Sequence, residues 1–159
     1  MFPHSDIVIN RLLKDGCNEE EIIQICLDEN LFSYEEVKEC FDKYIEKISS
    51  REKGWDIKIL DYILSNYKEK LLFYDIGHPT NDVLKYISLK ILEMLNISDN
   101  GINCDFTLEE HQNPIYPSVA KLLGLKFDYT CLRKNGKKLT DNCMDFSEYI
   151  KEYIWYLSN

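Results

Sequence analysis

The sequence predicts an α+β domain that is mainly helical, with several packed helices, one short buried strand and a C-terminal β-hairpin. Three observations predict it. Capping-box pairs at Asn18/Glu21 and Ser33/Glu36 stand ahead of apolar stripes at helical spacing. The apolar run Leu71-Leu72-Phe73-Tyr74 ends in a Gly77-His78-Pro79 turn, the pattern of a buried strand bounded by turn residues. Asn135-Gly136, two residues that tolerate positive φ, separates 126–132 from 138–143 and signals a hairpin.

The elements follow in order. Ile7, Val8, Ile9, Leu12 and Leu13 suggest a short first helix that stops near Gly16. Behind Asn18 and Glu21, Ile22, Ile23, Cys26 and Leu27 form the stripe of a second. Behind Ser33 and Glu36, Val37, Cys40, Phe41, Tyr44, Ile45 and Ile48 keep i, i+3, i+4, i+7 spacing. A charged break at 50–54 precedes a helix over about 55–67, with Ile59, Leu60, Ile63 and Leu64 inward. The strand at 71–75 comes next. A helix over about 81–95 buries Val83, Leu84, Ile87, Ile91, Leu92 and Leu95. Residues 96–113 are polar and aperiodic and read as loop. In Pro114-Ile115-Tyr116-Pro117 each proline turns its predecessor away from helix, so this element is extended. Pro117 then opens a short helix to Leu123, ended by Gly124. Asp145 and Glu148 cap a last helix carrying Phe146, Tyr149, Ile150, Tyr153, Ile154 and Leu157.

The 159 residues suffice for a single domain, 1–159, and the 45% hydrophobic content argues against disorder. The net charge of −9 disfavours a general binder of nucleic acid or of anionic membranes, because the mean field repels phosphate. No apolar run approaches the length of a membrane span, and no signal peptide is visible, so a cytoplasmic chain is expected. The six cysteines contain no Cys-x-x-Cys pair and the three histidines are scattered, which predicts no metal site. Cys26 and Cys40 fall on apolar helix faces, so reduced thiols are the simpler expectation.

His78 is the leading candidate for chemistry. It stands at a strand-to-helix junction, beside the unbonded amides of a helix start, where an anion or a reacting group is favoured. It reads either as a turn histidine satisfying nearby backbone or as a general base. Thr80 and Asn81 read either as ordinary N-cap residues or as ligand contacts backed by the helix amides. Asp75 is placed to orient His78, or is a solvated carboxylate at a strand end. Tyr116, with Gln112 and Ser118, is either a plug over the core or part of a ligand wall.

The ordered set of motifs resembles the WcbI family of polysaccharide-biosynthesis proteins. It is carried by Phe2-Pro3, by Asp15-Gly16 followed by Glu19-Glu20-Glu21-Ile22-Ile23, and by Arg51-Glu52 with Asp56-Ile57. The two strongest blocks are Leu72-Phe73-Tyr74 with His78-Pro79-Thr80-Asn81 and Val83-Leu84, and Pro114-Ile115-Tyr116-Pro117-Ser118-Val119 with Leu123-Gly124-Leu125. Together they span most of 2–125, and the hairpin and last helix fit the family's ending.

The resemblance implies binding of coenzyme A or acetyl-coenzyme A, and acyl transfer, acetylation above all, to a sugar or polysaccharide precursor of a capsule or cell surface. It implies His78 as the base and Thr80, Asn81 and Tyr116 as cofactor contacts. Arg133 and Lys134 head the densest basic run, which is either a solvated hairpin tip or a holder of the coenzyme's phosphates. Fuller family members begin with a nucleotide-fold-like half bearing Gly-Asn-Cys-Gln. This sequence has no such motif, so it looks like the later half alone. That leaves open a non-catalytic binding or interaction module whose partner chain supplies the other half.

Overall fold

In the computed structural model, residues 5–75, 77–98, 101, 112–133 and 143–158 are described. They form seven helices, and no strand among them exceeds two residues. The helices are α1 (Ile7–Lys14), α2 (Glu19–Leu27), α3 (Tyr34–Glu52), α4 (Leu60–Asn66), α5 (Asn81–Met94), α6 (Pro117–Leu123) and α7 (Phe146–Ser158).

The start signals act as expected. Asn18 accepts from the Glu21 amide while Glu21 accepts from the Asn18 amide, and Ser33 and Glu36 repeat the exchange. Asp145 and Glu148 do the same before α7. Asp6 caps α1 by accepting from the amides of Val8 and Ile9. Gly124 ends α6 at φ +66°, where a side chain would strain the backbone. The fourth helix begins later than its pattern suggested, at Leu60 instead of near 55, because its cap comes from a distance. Buried Glu52, the last residue of α3, accepts from the amides of Ile59 at 2.5 Å and Leu60 at 3.1 Å.

The α+β expectation is overturned: the fold is helical. The apolar run at 71–75 makes one isolated bridge, Phe73 to Pro79, in place of a buried strand. The physical reason is the Gly-His-Pro turn, which folds the segment back on itself within a few residues. The Tyr74 amide donates to the His78 carbonyl at 2.8 Å, and the Thr80 amide to the Leu72 carbonyl at 2.8 Å. Pro79 takes the position between these bonds, where its missing N–H costs nothing. The Tyr74 carbonyl accepts from the Asn113 amide, which ties the bridge to the segment before α6. The C-terminal hairpin reduces to a two-residue antiparallel contact, Leu132 opposite Met144 and Arg133 opposite Cys143. Its expected tip, 134–142, lies outside the described residues.

Two hydrophobic clusters hold the helices. The first joins Ile9 and Leu12 of α1, Ile22 and Cys26 of α2, and Phe146, Tyr149, Ile150 and Tyr153 of α7, with Leu132 and Met144 beneath them. The second joins Ile63 of α4, Val83 of α5 and Leu72 of the segment between those helices, with Ile48, Ile59, Tyr62, Phe73 and Ile87 around them. Two expected inward residues of α5 face outward: Ile91 is 44% and Leu95 61% exposed, since no described residue covers that half of the helix. Leu64 of α4 is also exposed. Cys17, Cys26 and Cys40 are free thiols, but Cys131 is disulfide-bonded, which corrects the expectation of six reduced cysteines. No described helix is long and apolar enough to cross a membrane.

Candidate functional site

The site is built by the turn between Leu72 and the start of α5. The two backbone bonds of the Phe73–Pro79 bridge fix its ends. Inside it, Asp75 is the organising side chain. Its Oδ1 accepts from the Gly77 amide at 2.7 Å and from the His78 amide at 3.0 Å. Its Oδ2 lies 2.6 Å from Nδ1 of His78. The Asp75 side chain is only 2% exposed, whereas the His78 ring is 39% exposed. Burial pushes the Asp75 carboxyl up, but hydrogen bonds from the Gly77 amide and the His78 ring, the charge of His78 and the His78 amide outweigh it and hold the group below its ordinary value. A buried carboxylate is tolerated here because these donors replace its lost water.

Thr80 is the N-cap of α5, yet its side chain makes no capping bond. Its hydroxyl is buried without a hydrogen-bond partner. The amides of Val83 and Leu84 donate to the Thr80 carbonyl, so α5 is closed from its second turn onward by backbone alone. The helix start therefore keeps polar capacity that its own cap does not consume. Asn81 is the first residue of α5, half-buried. His78, Thr80 and Asn81 thus share one turn, within the segment that the bridge fixes. Asp75 belongs with them; the sequence signal that marks it is its place three residues before His78, the span of the turn.

Tyr116 is placed elsewhere in the fold. It is the N-cap residue of α6, and its hydroxyl lies 2.9 Å from both carboxylate oxygens of Asp6. Its ring meets Phe32 and Phe146 edge-on. Burial first, then the charge of Asp6, drives its phenol far above the usual tyrosine range. The same surroundings push the Cys26 thiol up to about 11, burial being the larger cause and Asp6 the second, so this thiol stays protonated at neutral pH. Tyr153 completes the arrangement by accepting from the Asp6 amide and donating to Asn10. Ser118 is fully buried beside Tyr116 in sequence, and its hydroxyl also lacks a partner. Gln112 is buried. Arg133 is described only as backbone opposite Cys143, and Lys134 lies outside the described residues. Among the described residues, no group of three or more His, Cys, Asp or Glu is arranged to hold a metal ion.

A groove of about 540 Å³ lies between the 54–59 segment and the later half of α5. Trp55, Ile57, Ile59, Ile87, Ile91, Met94 and Leu95 supply its apolar walls, and Asp56 is the acid at its edge. The sequence pattern had assigned four of those residues, Ile59, Ile87, Ile91 and Leu95, to the core.

Comparison with known proteins gives two matches. The model of a family described as "Polysaccharide biosynthesis enzyme WcbI" matches residues 1–100. A solved structure of WcbI has the same fold, with a TM-score of 0.72 at 17% identity, covering 100% of this chain and 56% of that one. That structure is described as the native enzyme without a disulfide bond between coenzyme A and one of its cysteines. The chain therefore spans little more than half the length of that protein. No curated protein sequence matches it.

Proposed function

The chain belongs to the family of the polysaccharide biosynthesis enzyme WcbI, and on that premise we propose that it is one WcbI-like domain that binds coenzyme A and serves acyl transfer. The donor is an acyl ester of the coenzyme, acetyl-coenzyme A first among them. The acceptor is a sugar hydroxyl of a capsular or surface polysaccharide precursor, and the chemistry belongs to the cytoplasm. The disulfide at Cys131 is the observation that pulls against a reducing compartment.

The observation that carries the reading is His78, half-exposed, held by a buried carboxylate and seated one turn before α5. The residues present fit the coenzyme at one testable point. The buried, unpartnered hydroxyl of Thr80 stands at a helix start, where polar ligand atoms find donors. Thr80 and Asn81 would hold an acceptor atom of the ligand there. Tyr116 would contribute ring surface, since its hydroxyl is bound to Asp6. Arg133 and Lys134 would neutralise phosphate charge. When bound, the coenzyme supplies an acyl group activated as a thioester. His78 would take the proton of the attacking hydroxyl as the new ester bond forms and return it to the coenzyme's sulfur as the thioester C–S bond breaks, and the amides at the start of α5 would stabilise the oxygen on which negative charge develops.

Calorimetric titration with coenzyme A tests this. The chain is expected to bind, and neutralising Arg133 and Lys134 together to weaken binding by about tenfold or more, the loss of one charge-assisted bond. His78→Ala is expected to leave binding within a few-fold and to abolish transfer. No heat of binding at millimolar coenzyme overturns the reading for this chain.

A second reading is favoured by the open groove on α5. In it the domain is a binding module, and a partner polypeptide with the remainder of the WcbI fold completes the site. Trp55, Ile91, Met94 and Leu95 are more exposed than a finished surface needs. Coenzyme binding that appears only when the remaining part is added selects this reading over the first.

A further inference from the structure

We propose that Asp75 is a positioning residue for His78, its Oδ1 closing the turn and its Oδ2 fixing the tautomer and direction of the imidazole. The inference rests on the reading of His78 as a base and adds how that base is set.

The two oxygens have separate partners. Oδ1 takes both backbone donors, the amides of Gly77 and His78. Oδ2 faces only the ring among the bonds described, at 2.6 Å from Nδ1. An ionised carboxylate accepts and never donates. Nδ1 of the neutral ring must therefore carry the proton, and the basic lone pair lies on Nε2. The carboxylate remains an acceptor across the neutral range, because its hydrogen bonds and the charge of His78 hold it in the ionised form. The burial of the pair is unequal: the acid is enclosed and the ring is presented. The enclosed member is also tied to backbone, so it cannot swing with the ring.

This has a chemical consequence. When Nε2 takes a proton, the other N–H of the imidazolium already points at a carboxylate, and the new positive charge forms beside its counter-ion. No proton moves to Asp75 in this step; it travels from the acceptor hydroxyl to Nε2 alone. The turn is closed through Oδ1 alone, so the short contact of Oδ2 with the ring is more than the turn requires.

Asp75→Asn separates the two oxygens. Its amide oxygen still serves Gly77 and His78, but its NH₂ meets Nδ1 with a donor, so the ring must hold its proton on Nε2. The readout is the pair of ring ¹⁵N shifts of His78 in the full chain, measured with the ring neutral, beside transfer rates on the same samples. The wild type is expected to show the Nδ1–H form and Asp75→Asn the Nε2–H form. Transfer is expected to fall by about 10²-fold or more, the contribution of a positioned general base. A wild-type ring protonated on Nε2, or an Asp75→Asn ring that keeps the wild-type tautomer, overturns the proposal. If Asp75→Asn does not fold, the wild-type spectrum decides alone. A tautomer that switches in a chain with no transfer activity upholds the positioning role and removes the reading of His78 as base.

Discussion

Among the described residues, the cluster around α1, α2 and α7 gathers ten buried side chains, while the cluster beneath α4 and α5 gathers three. The first is also stitched by a polar network, in which Asp6 caps α1 and receives Tyr116, while Tyr153 joins the Asp6 amide to Asn10. The second is closed at its edge by the stacked rings of Tyr62 and Tyr86, whose hydroxyls donate to the carbonyls of Asp82 and Lys58. The His78 turn lies along the chain between Leu72 and Val83, two members of the second. The difference teaches a division of labour among the described residues: one region gathers more of the buried apolar side chains, and the other carries the polar turn and the exposed stripe of α5. Regions of low local stability are where binding and moving parts are commonly placed.

The largest break in this comparison comes from a pair of core truncations. Ile150 and Val83 are both almost fully buried, one in each cluster. Ile150→Ala is expected to lower unfolding free energy by about 2–5 kcal/mol, the range of buried Ile truncations. Val83→Ala is expected to cost about 1.5 kcal/mol, near two buried carbons at about 0.8 kcal/mol each. Urea denaturation of both variants checks the order. Equal losses would mean that the small cluster is supported by more than its three buried residues.

A second, smaller effect has the opposite sign. Thr80→Val replaces a buried hydroxyl that has no partner with a group of the same shape. It is expected to raise stability by about 1 kcal/mol, the lower end of the cost of an unsatisfied polar group, and to weaken coenzyme binding. A fall in the urea midpoint would show that the hydroxyl is bonded after all.

The third prediction is the most local. Asp75 titrates below its ordinary value in the folded chain. Its contribution is therefore complete above the unfolded carboxylate pKa, about 3.9, and is lost as pH falls through the lower folded value. The stability gap between wild type and Asp75→Asn is expected to shrink as pH falls below about 4. Glu36 and Asp128 are shifted in the same direction, so the difference between the two proteins isolates Asp75. A gap that stays constant down to acid denaturation would contradict the shift.

The two regions were unequally legible in the sequence. Local signals found the helices: Asn18/Glu21, Ser33/Glu36 and Asp145/Glu148 are contained within four residues, so their chemistry is written in order along the chain. The segment at 71–75 misled because an apolar run does not say whether a partner strand exists, and here the turn supplied only one bridge. The start of α4 misled because its cap, Glu52, is seven residues from Ile59 and on another helix. At the site, the address of His78 was readable from the Gly-His-Pro turn. The enclosure of Asp75 was not, because burial of a carboxylate depends on packing around the turn. Ile91 and Leu95 continue the apolar period of α5, but periodicity marks a face and does not say what covers it.

The remote cap at Glu52 also links helix lifetimes. With seven residues, α4 is too short to persist alone, and the first two of its amides to be satisfied, those of Ile59 and Leu60, depend on the final turn of another helix. Fraying at the end of α3 therefore frees both amides at once. Ile63, the contribution of α4 to the small cluster, then loses its anchorage. Amide exchange at Ile59 and Leu60 is thus expected to follow the opening of α3's last turn.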